Sequence, residues 1–405
     1  MYLHALRDPF AEHEHIFNRL KSLSLLILNY GRLHMPHVNT VRIEPGGSRF
    51  NNNTDELAGT VLTKTRLESD FGLTAALHQY RIEYSSCDGV QGEGIRTDSA
   101  AIFLPQGSEP EDGWPLIVWH HGTVGIAYGC APSLNVRSFR DSQYLNTWLS
   151  LGYAIFAPDY PGLGSQGLHH YLHARSVAWS VLDGIRAALG VFPLKNRILL
   201  IGHSQGAHAA FSTAGYQMQY APALNIAGSV LTGTPYFTGG RNFESMLSFT
   251  DPTMSGDPRL PYIFYIWQSC ADVNGSLDSR DFFQEPVRDV LTQSKILAIS
   301  SLKQIVIDKA LTLNNSIKPE IWKLFQEILP KMAYPTLNIM HPVFIGIGDN
   351  DINVPVLMQR YFAEDVDISG TISEVHIYPG LDHSATLNYS LRDSVPFVQH
   401  IMRAI

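Results

Sequence analysis

The sequence predicts an α/β fold, with a mostly parallel sheet, helices on both faces and an inserted helical cap. Short apolar runs alternate with segments whose apolar residues recur at helical spacing, a pattern typical of such a sheet. One run leads into a Gly-x-Ser-x-Gly turn at 202–206. The region 236–340 lacks further runs of this kind and carries amphipathic helical patterns instead. The interruption predicts an insertion between two parts of one sheet-forming domain.

The composition is that of a large globular chain. Of 405 residues, 45% are hydrophobic and 16% are charged, so the chain can bury a sizeable core. A net charge of −8 argues against nucleic acid as a partner. The three cysteines, Cys87, Cys130 and Cys270, form neither a Cys-x-x-Cys pair nor a disulfide framework. At most one bridge is expected, which would leave the third thiol free.

Residues 1–55 are predicted to form an N-terminal extension. They end in a polar run, 51–55, that is typical of a loop or linker. The only candidate for a signal-peptide core, 23–28, is short and is not followed by the small residues of a cleavage site. We therefore expect a cytoplasmic protein, or a secreted one if the N-terminus is incomplete. No stretch approaches the roughly 20 apolar residues of a membrane span.

Eight strands are predicted in the core segments 56–235 and 341–405. Two early strands precede six buried ones, and a helix is expected over 176–189, before the strand that leads to Ser204. Ligands of such sheets bind beyond the carboxyl ends of the strands, where Ser204 falls. The predicted strands are 79–84, 99–104, 116–119, 153–157, 198–201, 227–231, 343–347 and 374–378.

The insertion 236–340 is predicted to be a helical cap over the active site. Amphipathic patterns indicate helices over 279–294, 303–312 and 318–332. Peripheral helices unrelated to substrate are the alternative. Some apolar side chains are candidates to line an acyl-binding cleft, although most are expected to hold the cap's own core together. These candidates are Phe282, Phe283, Ile321, Trp322 and Phe325.

Ser204 stands at the centre of the Gly-x-Ser-x-Gly turn. Aliphatic residues before it predict a strand, and small residues after it predict a helix. Such a turn pushes the serine hydroxyl above the sheet edge, and its glycines avoid collisions that a Cβ would cause. The N–H of Gln205, at the start of the helix, would then point to where an oxyanion forms. A glycine-rich turn without chemical function is the alternative.

A serine nucleophile needs a base and an orienting acid, and in this type of fold they follow in the order acid, then histidine. His383 lies in a turn after the last predicted strand and ahead of the last helix, so it is the candidate base. Asp349 and Asp351 both lie in the turn after the preceding strand. We favour Asp351, four residues before Pro355, as the acid and expect Asp349 to cap or brace the turn.

A second oxyanion donor is expected in the loop 119–125, after the third predicted strand. Its glycines let the backbone approach a substrate closely. We select the N–H of Thr123, with Gly122 next and also a candidate substrate contact. The pair His120 and His121 has no Glu or Cys at ligand spacing, so a loop-shaping role is favoured over a metal site.

Other polar residues accompany these motifs. Asp159 and Tyr160 follow a buried strand near the expected pocket floor, which makes them candidate substrate contacts, although a structural turn is favoured. His169, His170 and His173 form a local cluster without carboxylate partners in the sequence. A solvated loop is expected there.

Several motifs together resemble those of the secretory lipase family of α/β-hydrolases, of the fungal lipase A type. The similarity runs from about residue 57 to the C-terminus, and the insertion before Val343 matches the family's helical cap in position. The resemblance implies serine-dependent hydrolysis of carboxylic esters, including acylglycerols, without a cofactor. Because the cap is the family's variable region, chain-length preference does not carry over. The motifs are 59–62 with 84–86, 121–125, 130–133, 159–164 and 202–206.

The sequence therefore predicts a carboxylesterase or lipase whose partner is a small ester or acylglycerol. Ser204 would attack the ester carbonyl, His383 would take its proton, and Asp351 would orient the imidazole. One alternative is the same triad acting on another acyl bond, as in a peptidase, thioesterase or acyltransferase. A second is a catalytically silent binding protein with this fold. The sequence does not indicate the oligomeric state.

Overall fold

The computed structural model describes residues 58–238 and 255–403, and within this part of the chain the strands form one nine-stranded sheet. The strands are β1 (Val61–Arg66), β2 (Ala76–Cys87), β3 (Ile95–Pro105), β4 (Trp114–His120), β5 (Ala154–Pro158), β6 (Leu194–His203), β7 (Ile226–Thr232), β8 (Val343–Gly348) and β9 (Ser373–Tyr378). Their order is β1-β2-β3-β5-β4-β6-β7-β8-β9. In this order the pairs β1-β2, β2-β3 and β3-β5 are antiparallel. The pairs β5-β4, β4-β6, β6-β7, β7-β8 and β8-β9 are parallel. The predicted α/β fold is confirmed.

All eight predicted strands are present, most of them longer than the apolar runs. β2 and β3 extend to 12 and 11 residues because they pair along most of their length. β1 was not predicted. After Val61 and Leu62 it continues with Thr, Lys, Thr and Arg, and it lies at the sheet edge with most of its side chains partly exposed. A polar edge strand of this kind gives no apolar run in the sequence.

Helices cover both faces of the sheet. They are α1 (Phe139–Ser150), α2 (Ala174–Val191), α3 (Gln205–Tyr220), α4 (Leu260–Val273), α5 (Ser279–Phe282), α6 (Arg288–Gln293), α7 (Ile299–Asp308), α8 (Leu313–Ser316), α9 (Glu320–Met332), α10 (Val356–Ile368), α11 (His383–Tyr389) and α12 (Leu391–Arg403). Neighbouring residues of β3 point to opposite faces: Ile102 packs in a core with α2, α3 and α10, and Phe103 in a core with α1, α11 and α12. None of the helices in the described ranges is long and apolar enough to cross a membrane.

The described part of the region 236–340 is helical, as predicted, but two helix boundaries differ from the sequence analysis. The segment 279–294 is α5, a 3₁₀ turn at 285–287 and α6, because Phe283 is extended and bridges Ile317. The helix predicted at 303–312 is shifted toward the N-terminus and is α7. The helix predicted at 318–332 is confirmed as α9.

α4 was missed by the sequence analysis. Its buried residues run almost continuously from Leu260 to Gln268, so its first half lacks the polar stripe that reveals an amphipathic helix. Residues 239–254 of the insertion, and the predicted extension 1–55, lie outside the described residues. The domain boundaries themselves stay a prediction.

Candidate active site

Ser204 occupies the turn between β6 and α3. Its φ of 60° and ψ of −125° are values that non-glycine residues rarely adopt. A Cβ on Gly202 would overlap the carbonyl oxygen of Gly206, and a Cβ on Gly206 would overlap the carbonyl oxygen of His120. The chain therefore turns as tightly as the sequence predicts. Strained backbone of this kind persists only where the surrounding packing holds it, and it is concentrated at functional sites.

Asp351 and His383 follow the ends of the neighbouring strands β8 and β9 and contact each other. His383 Nδ1 lies 2.6 Å from Asp351 Oδ2, within the range expected of a base and its orienting acid. The other carboxylate oxygen, Oδ1, accepts hydrogen bonds from the N–H groups of Asn353 and Val354 at 2.9 and 3.0 Å. These backbone donors fix the carboxylate, so the imidazole it contacts is held in one orientation.

Gln359 is a further contact of this acid that the sequence analysis did not identify. Its Nε2 donates to Asp351 Oδ2 and to the carbonyl oxygen of Val354, both at 2.9 Å. The side chain is fully buried on α10. A glutamine in a helix, eight residues after the acid, forms no motif, so only the packing of α10 against the turn reveals it.

Asp349 has a different environment from Asp351. It is exposed, and its Oδ1 accepts a hydrogen bond from the N–H of Gly380 at 2.5 Å, which braces the turn after β9. Within the described ranges no hydrogen bond joins Asp349 to His383. The geometry agrees with the assignment of Asp351 as the acid and of Asp349 as a turn brace.

His383 lies beside His203, the residue before Ser204, with ring centroids 4.5 Å apart. The Nδ1 of His203 lies 2.9 Å from the Thr232 hydroxyl, and burial lowers the pKa of His203 well below its usual value. His203 is therefore neutral near pH 7 and does not oppose a positive charge on His383. No hydrogen bond joins the Ser204 hydroxyl to His383 in the described part of the chain; such contacts are often long before substrate binds.

The loop after β4 lies against the serine turn. A Cβ placed on Gly122 would be 3.8 Å from the Ser204 Cβ, so the two backbones are close. The N–H groups of Thr123 and Gln205 take part in no hydrogen bond among the described residues. They are thus available to an oxyanion. The Thr123 hydroxyl is 2.6 Å from the Tyr171 hydroxyl, which anchors the loop.

The histidines of this loop contact backbone atoms. His120 Nδ1 lies 3.2 Å from the carbonyl oxygen of Ile201, and His121 Nδ1 lies 2.7 Å from that of Gly122. These contacts fit the predicted loop-shaping role. Within the described ranges, no three His, Cys, Asp or Glu side chains are grouped to hold a metal ion. Cys130 and Cys270 are free thiols.

Asp159 and Tyr160, predicted as candidate substrate contacts, are both fully buried. Asp159 accepts hydrogen bonds from the hydroxyls of Ser99 and Ser133 at 2.7 and 2.6 Å. The Tyr160 hydroxyl donates to the carbonyl oxygen of His121 at 3.0 Å. Their polar groups are occupied by protein partners, so this geometry supports the structural turn and not a direct contact with substrate.

The expectation of a solvated histidine loop was wrong. His169 is buried, with Nε2 2.7 Å from Gln205 Nε2 and Nδ1 2.9 Å from the carbonyl oxygen of Pro161. His170 pairs with a carboxylate that the sequence could not place nearby, Asp272 on α4, at 2.9 Å. His173 caps the start of α2. Because α4 covers this loop, its histidines face protein.

An apolar cavity of about 60 Å³ adjoins Ser204, which is itself 8% exposed. Its wall is formed in part by Tyr262, Ile263 and Ile266 of α4, and Met358 of α10 also borders it. The residues named from the sequence as possible lining do not border it. Phe283, Ile321 and Phe325 are buried in the core of the insertion, as was expected for most of that set.

Comparison with known proteins shows similarity to secretory lipases in part of the chain. The model of the family described as "Secretory lipase" matches residues 134–239. Over this segment the chain is distantly similar to the secretory lipase family. Lipase A of Moesziomyces aphidis is 27% identical over 190 residues, covering 44% of this chain and 39% of that protein. Secreted triacylglycerol lipase LIP5 of Malassezia furfur is 36% identical over 120 residues, 26% of this chain and 30% of that protein. These matches span less than half of the relatives' length.

Solved structures extend the similarity to most of the fold. Candida antarctica lipase A in its closed state has a TM-score of 0.69 at 18% identity, covering 87% of this chain and 84% of that chain. The rice cell wall degrading esterase LipA of Xanthomonas oryzae has a TM-score of 0.67 at 21% identity, covering 84% of this chain and 99% of that chain. At these identities the likeness shows a shared α/β-hydrolase fold.

Proposed function

We propose that this chain, like the secretory lipases that it resembles, hydrolyses carboxylic esters with Ser204, His383 and Asp351 as a catalytic triad. The observation that carries the proposal is the 2.6 Å contact between His383 and Asp351, beside a serine held at φ 60° between β6 and α3. A serine needs such a base, and the base needs an orienting group, to become a nucleophile. The names of the relatives, triacylglycerol lipase and esterase, support an ester as the substrate.

The steps follow from the positions of these groups. Ser204 Oγ attacks the ester carbonyl carbon while His383 takes the hydroxyl proton, and Asp351 stabilises the imidazolium. The N–H groups of Gln205 and Thr123 donate to the oxyanion. His383 then gives its proton to the departing alkoxide, which leaves as the alcohol. Water, activated by the same histidine, cleaves the acyl-enzyme and releases the acid. The reaction uses no cofactor.

The apolar cavity beside Ser204 supports an apolar acyl chain as one half of the ester. Burying a methylene group stabilises binding by about 0.8 kcal/mol, provided that water is excluded. We propose that the region 236–340 serves as a cap, because α4 supplies part of this cavity's wall. The cytoplasmic location expected from the sequence stays a prediction, since residues 1–57 lie outside the described ranges.

The test is covalent labelling by a fluorophosphonate, with the adduct mapped by mass spectrometry. The label should be found on Ser204, and Ser204→Ala should remain folded and unlabelled. Ester hydrolysis by Ser204→Ala should fall by several orders of magnitude, leaving the ~10³-fold acceleration over water that oxyanion binding alone provides. A panel of chromogenic esters and peptide anilides separates ester from amide hydrolysis. A variant that retained more than about a tenth of the activity would refute the mechanism.

A further inference from the structure

A second cavity, of about 430 Å³, opens beside the proposed oxyanion loop. Small-molecule sites commonly have volumes of this size. Its wall includes Gly122 and Thr123 of that loop, and it shares no lining residue with the apolar cavity beside Ser204. An ester whose carbonyl is held by the oxyanion donors has two halves to place. The two cavities offer different surroundings for them.

Arg137 makes this second cavity unusual. Its Nε and Nη2 atoms are buried and have no hydrogen-bond partner among the described residues, although the residue as a whole is partly exposed and lines the cavity. The guanidinium lies over the ring of Phe103 at 5.1 Å, a contact that uses none of its N–H donors. Burial lowers the pKa of Arg137. Two buried N–H groups without partners on a cation are costly, and an anion held against this guanidinium in the cavity would offset part of that cost.

The nearby carboxylates do not serve as this partner. Asp141 forms an ion pair with Arg140 at 2.8 Å. Asp159 is buried and accepts hydrogen bonds from two serine hydroxyls and a backbone N–H. The charged side chains that line the cavity are thus Arg137, Arg140 and Asp141: two positive charges and one negative, a net charge of +1. This balance fits one monoanion better than a dianionic phosphate.

The charged wall also adjoins the proposed base. Arg140 Nη1 donates to the hydroxyl of Ser384 at 3.0 Å, and Ser384 follows His383 directly in the chain. The lining of the cavity therefore includes residues of the oxyanion loop and one side chain that contacts the histidine turn. A group bound there would be part of the reacting ester and not a remote ligand.

We propose that this cavity binds a carboxylate on the alcohol half of the ester, with Arg137 as its main counter-charge. The inference rests on the proposed function, in which the apolar cavity beside Ser204 takes the acyl half. Guanidinium groups match carboxylates in charge and planar shape. The substrate class is thus an apolar acid esterified to an alcohol or phenol that also carries a carboxylate.

The test compares 4-butanoyloxybenzoate with its neutral counterpart, 4-butanoyloxybenzamide. The measured quantity is the ratio of their kcat/KM values, in which any general loss of activity cancels. Arg137→Gln should lower the anionic-to-neutral ratio by about tenfold or more, as expected for loss of a charge-assisted contact. Arg137→Lys keeps the charge and should retain more of the ratio. Arg392→Gln is the matched control: its exposed side chain lines neither cavity, so the ratio should not change.

A second pair of substrates places the carboxylate on the acyl half: the 4-nitrophenyl monoester of glutaric acid and 4-nitrophenyl pentanoate. Their ratio should not depend on Arg137. Calorimetric binding of 4-hydroxybenzoate and 4-hydroxybenzamide to Ser204→Ala tests the cavity without catalysis, and Arg137→Gln in that background should remove the preference for the anion. Melting temperatures establish that each variant is folded.

Two results would overturn this inference and leave ester hydrolysis intact. In one, the first-pair ratio of kcat/KM values is the same in wild type and in Arg137→Gln. In the other, only the second-pair ratio depends on Arg137. Equal first-pair ratios would mean that water alone occupies the space beside Arg137, whereas a dependence confined to the second pair would mean that Arg137 contacts the acyl half. Failure of the proposed function gives a different result: neither ester of the first pair is hydrolysed and the fluorophosphonate does not label Ser204. The binding measurement still decides the anion site in that case.

Discussion

Gln359 and His383 contact the same oxygen atom of Asp351. Gln359 Nε2 lies 2.9 Å and His383 Nδ1 2.6 Å from Oδ2, while two backbone N–H groups occupy Oδ1. The carboxylate thus has four donors, three of which do not depend on His383. Gln359 is therefore a positioning residue: it acts on the proposed base through the acid.

Gln359→Met should lower kcat by roughly 10- to 100-fold, because a hydrogen bond to a charged group contributes about 1.5–3 kcal/mol. With one donor fewer, the carboxylate attracts the imidazolium more strongly. The apparent pKa on the acid side of the kcat/KM profile should therefore rise. Steady-state kinetics across pH measures both effects. Leu357→Ala, half exposed on the same helix, is the control; the same loss in both variants, without a pKa change, would indicate a merely structural role for Gln359.

Asp351→Asn and Asp349→Asn should separate the two acids. Asn at 351 favours the wrong imidazole tautomer, for which a loss of roughly 10⁴-fold in kcat is expected. Within the described ranges the Asp349 carboxylate accepts a hydrogen bond from the N–H of Gly380 alone, so its replacement should cost about 1 kcal/mol of stability and little activity. Kinetics and urea unfolding on both variants measure this. If the larger kinetic loss belonged to Asp349→Asn, the assignment of the acid would be wrong.

The proposed triad could be predicted from sequence because each member lies in a short segment with its own signal. Ser204 has a motif, and Asp351 and His383 follow two buried strands in a fixed order along the chain. Parallel strands bring their carboxyl ends to one edge of the sheet, so local patterns are enough to predict the contact. The 2.6 Å distance between acid and base agrees with that reasoning.

What the sequence did not reveal depends on packing between segments far apart in the chain. Gln359 and His169 belong to no sequence motif. Their contacts depend on how α10 and the loop at 161–173 pack in the fold. α4 escaped detection because it is apolar around much of its surface. As a result, the residues lining the apolar cavity were assigned to the wrong helices of the insertion. A helical period reveals a surface helix but not one that is buried on most sides.

His169→Phe should weaken both stability and catalysis. It leaves the buried Gln205 Nε2 and the Pro161 carbonyl oxygen without a partner, which should cost about 1–3 kcal/mol of unfolding free energy. Gln205 also carries a proposed oxyanion N–H, so kcat should fall more than KM changes. Urea unfolding and steady-state kinetics measure the two effects. His169→Gln can still accept a hydrogen bond from Gln205 and should recover part of kcat. If it recovered none, the contact between Gln205 and residue 169 would have no role in catalysis.

Acid should destabilise the fold from about pH 6.5 downward. Burial lowers the pKa of His169 and His173 to about 3 and that of His208 to about 4. The unfolded chain takes up these protons near pH 6.5, the folded chain only near 3 to 4, so protons favour unfolding between these values. The stability that each neutral histidine contributes is therefore complete above pH 6.5 and falls as pH drops, by at most about 1.4 kcal/mol per pH unit.

His208→Gln tests this sign at one position. The glutamine can still donate to the carbonyl oxygen of Met332, which His208 Nε2 approaches at 2.7 Å, but it cannot take up a proton. Urea unfolding at pH 7, 6 and 5 should give a shallower dependence of stability on pH than wild type, by about 1 kcal/mol per unit. The exposed variant Arg392→Gln should keep the wild-type slope. If the unfolding free energy of wild type and of His208→Gln depended equally on pH, burial would not lower the pKa of His208 in the folded state.

If the proposed ester hydrolysis is correct, Ile263→Ala should shift the preference of the protein toward longer acyl chains. Ile263 lies on α4 and borders the apolar cavity of about 60 Å³ beside Ser204, which is small for an extended chain. Truncation enlarges that cavity, and each further methylene it accepts is worth about 0.8 kcal/mol, or roughly fourfold in kcat/KM. The ratio of kcat/KM for hexanoate and acetate esters of 4-nitrophenol measures the shift.

The matched control for this change is Ile321→Ala. Ile321 is fully buried in the core of the insertion and does not border the cavity, so its truncation should cost about 2–5 kcal/mol of stability without altering the ratio. Measurements at low temperature keep both variants folded. An equal shift in both would mean that loosening the insertion, and not the wall supplied by α4, sets the preference. No shift in Ile263→Ala would place the acyl chain outside this cavity while leaving the proposed triad intact.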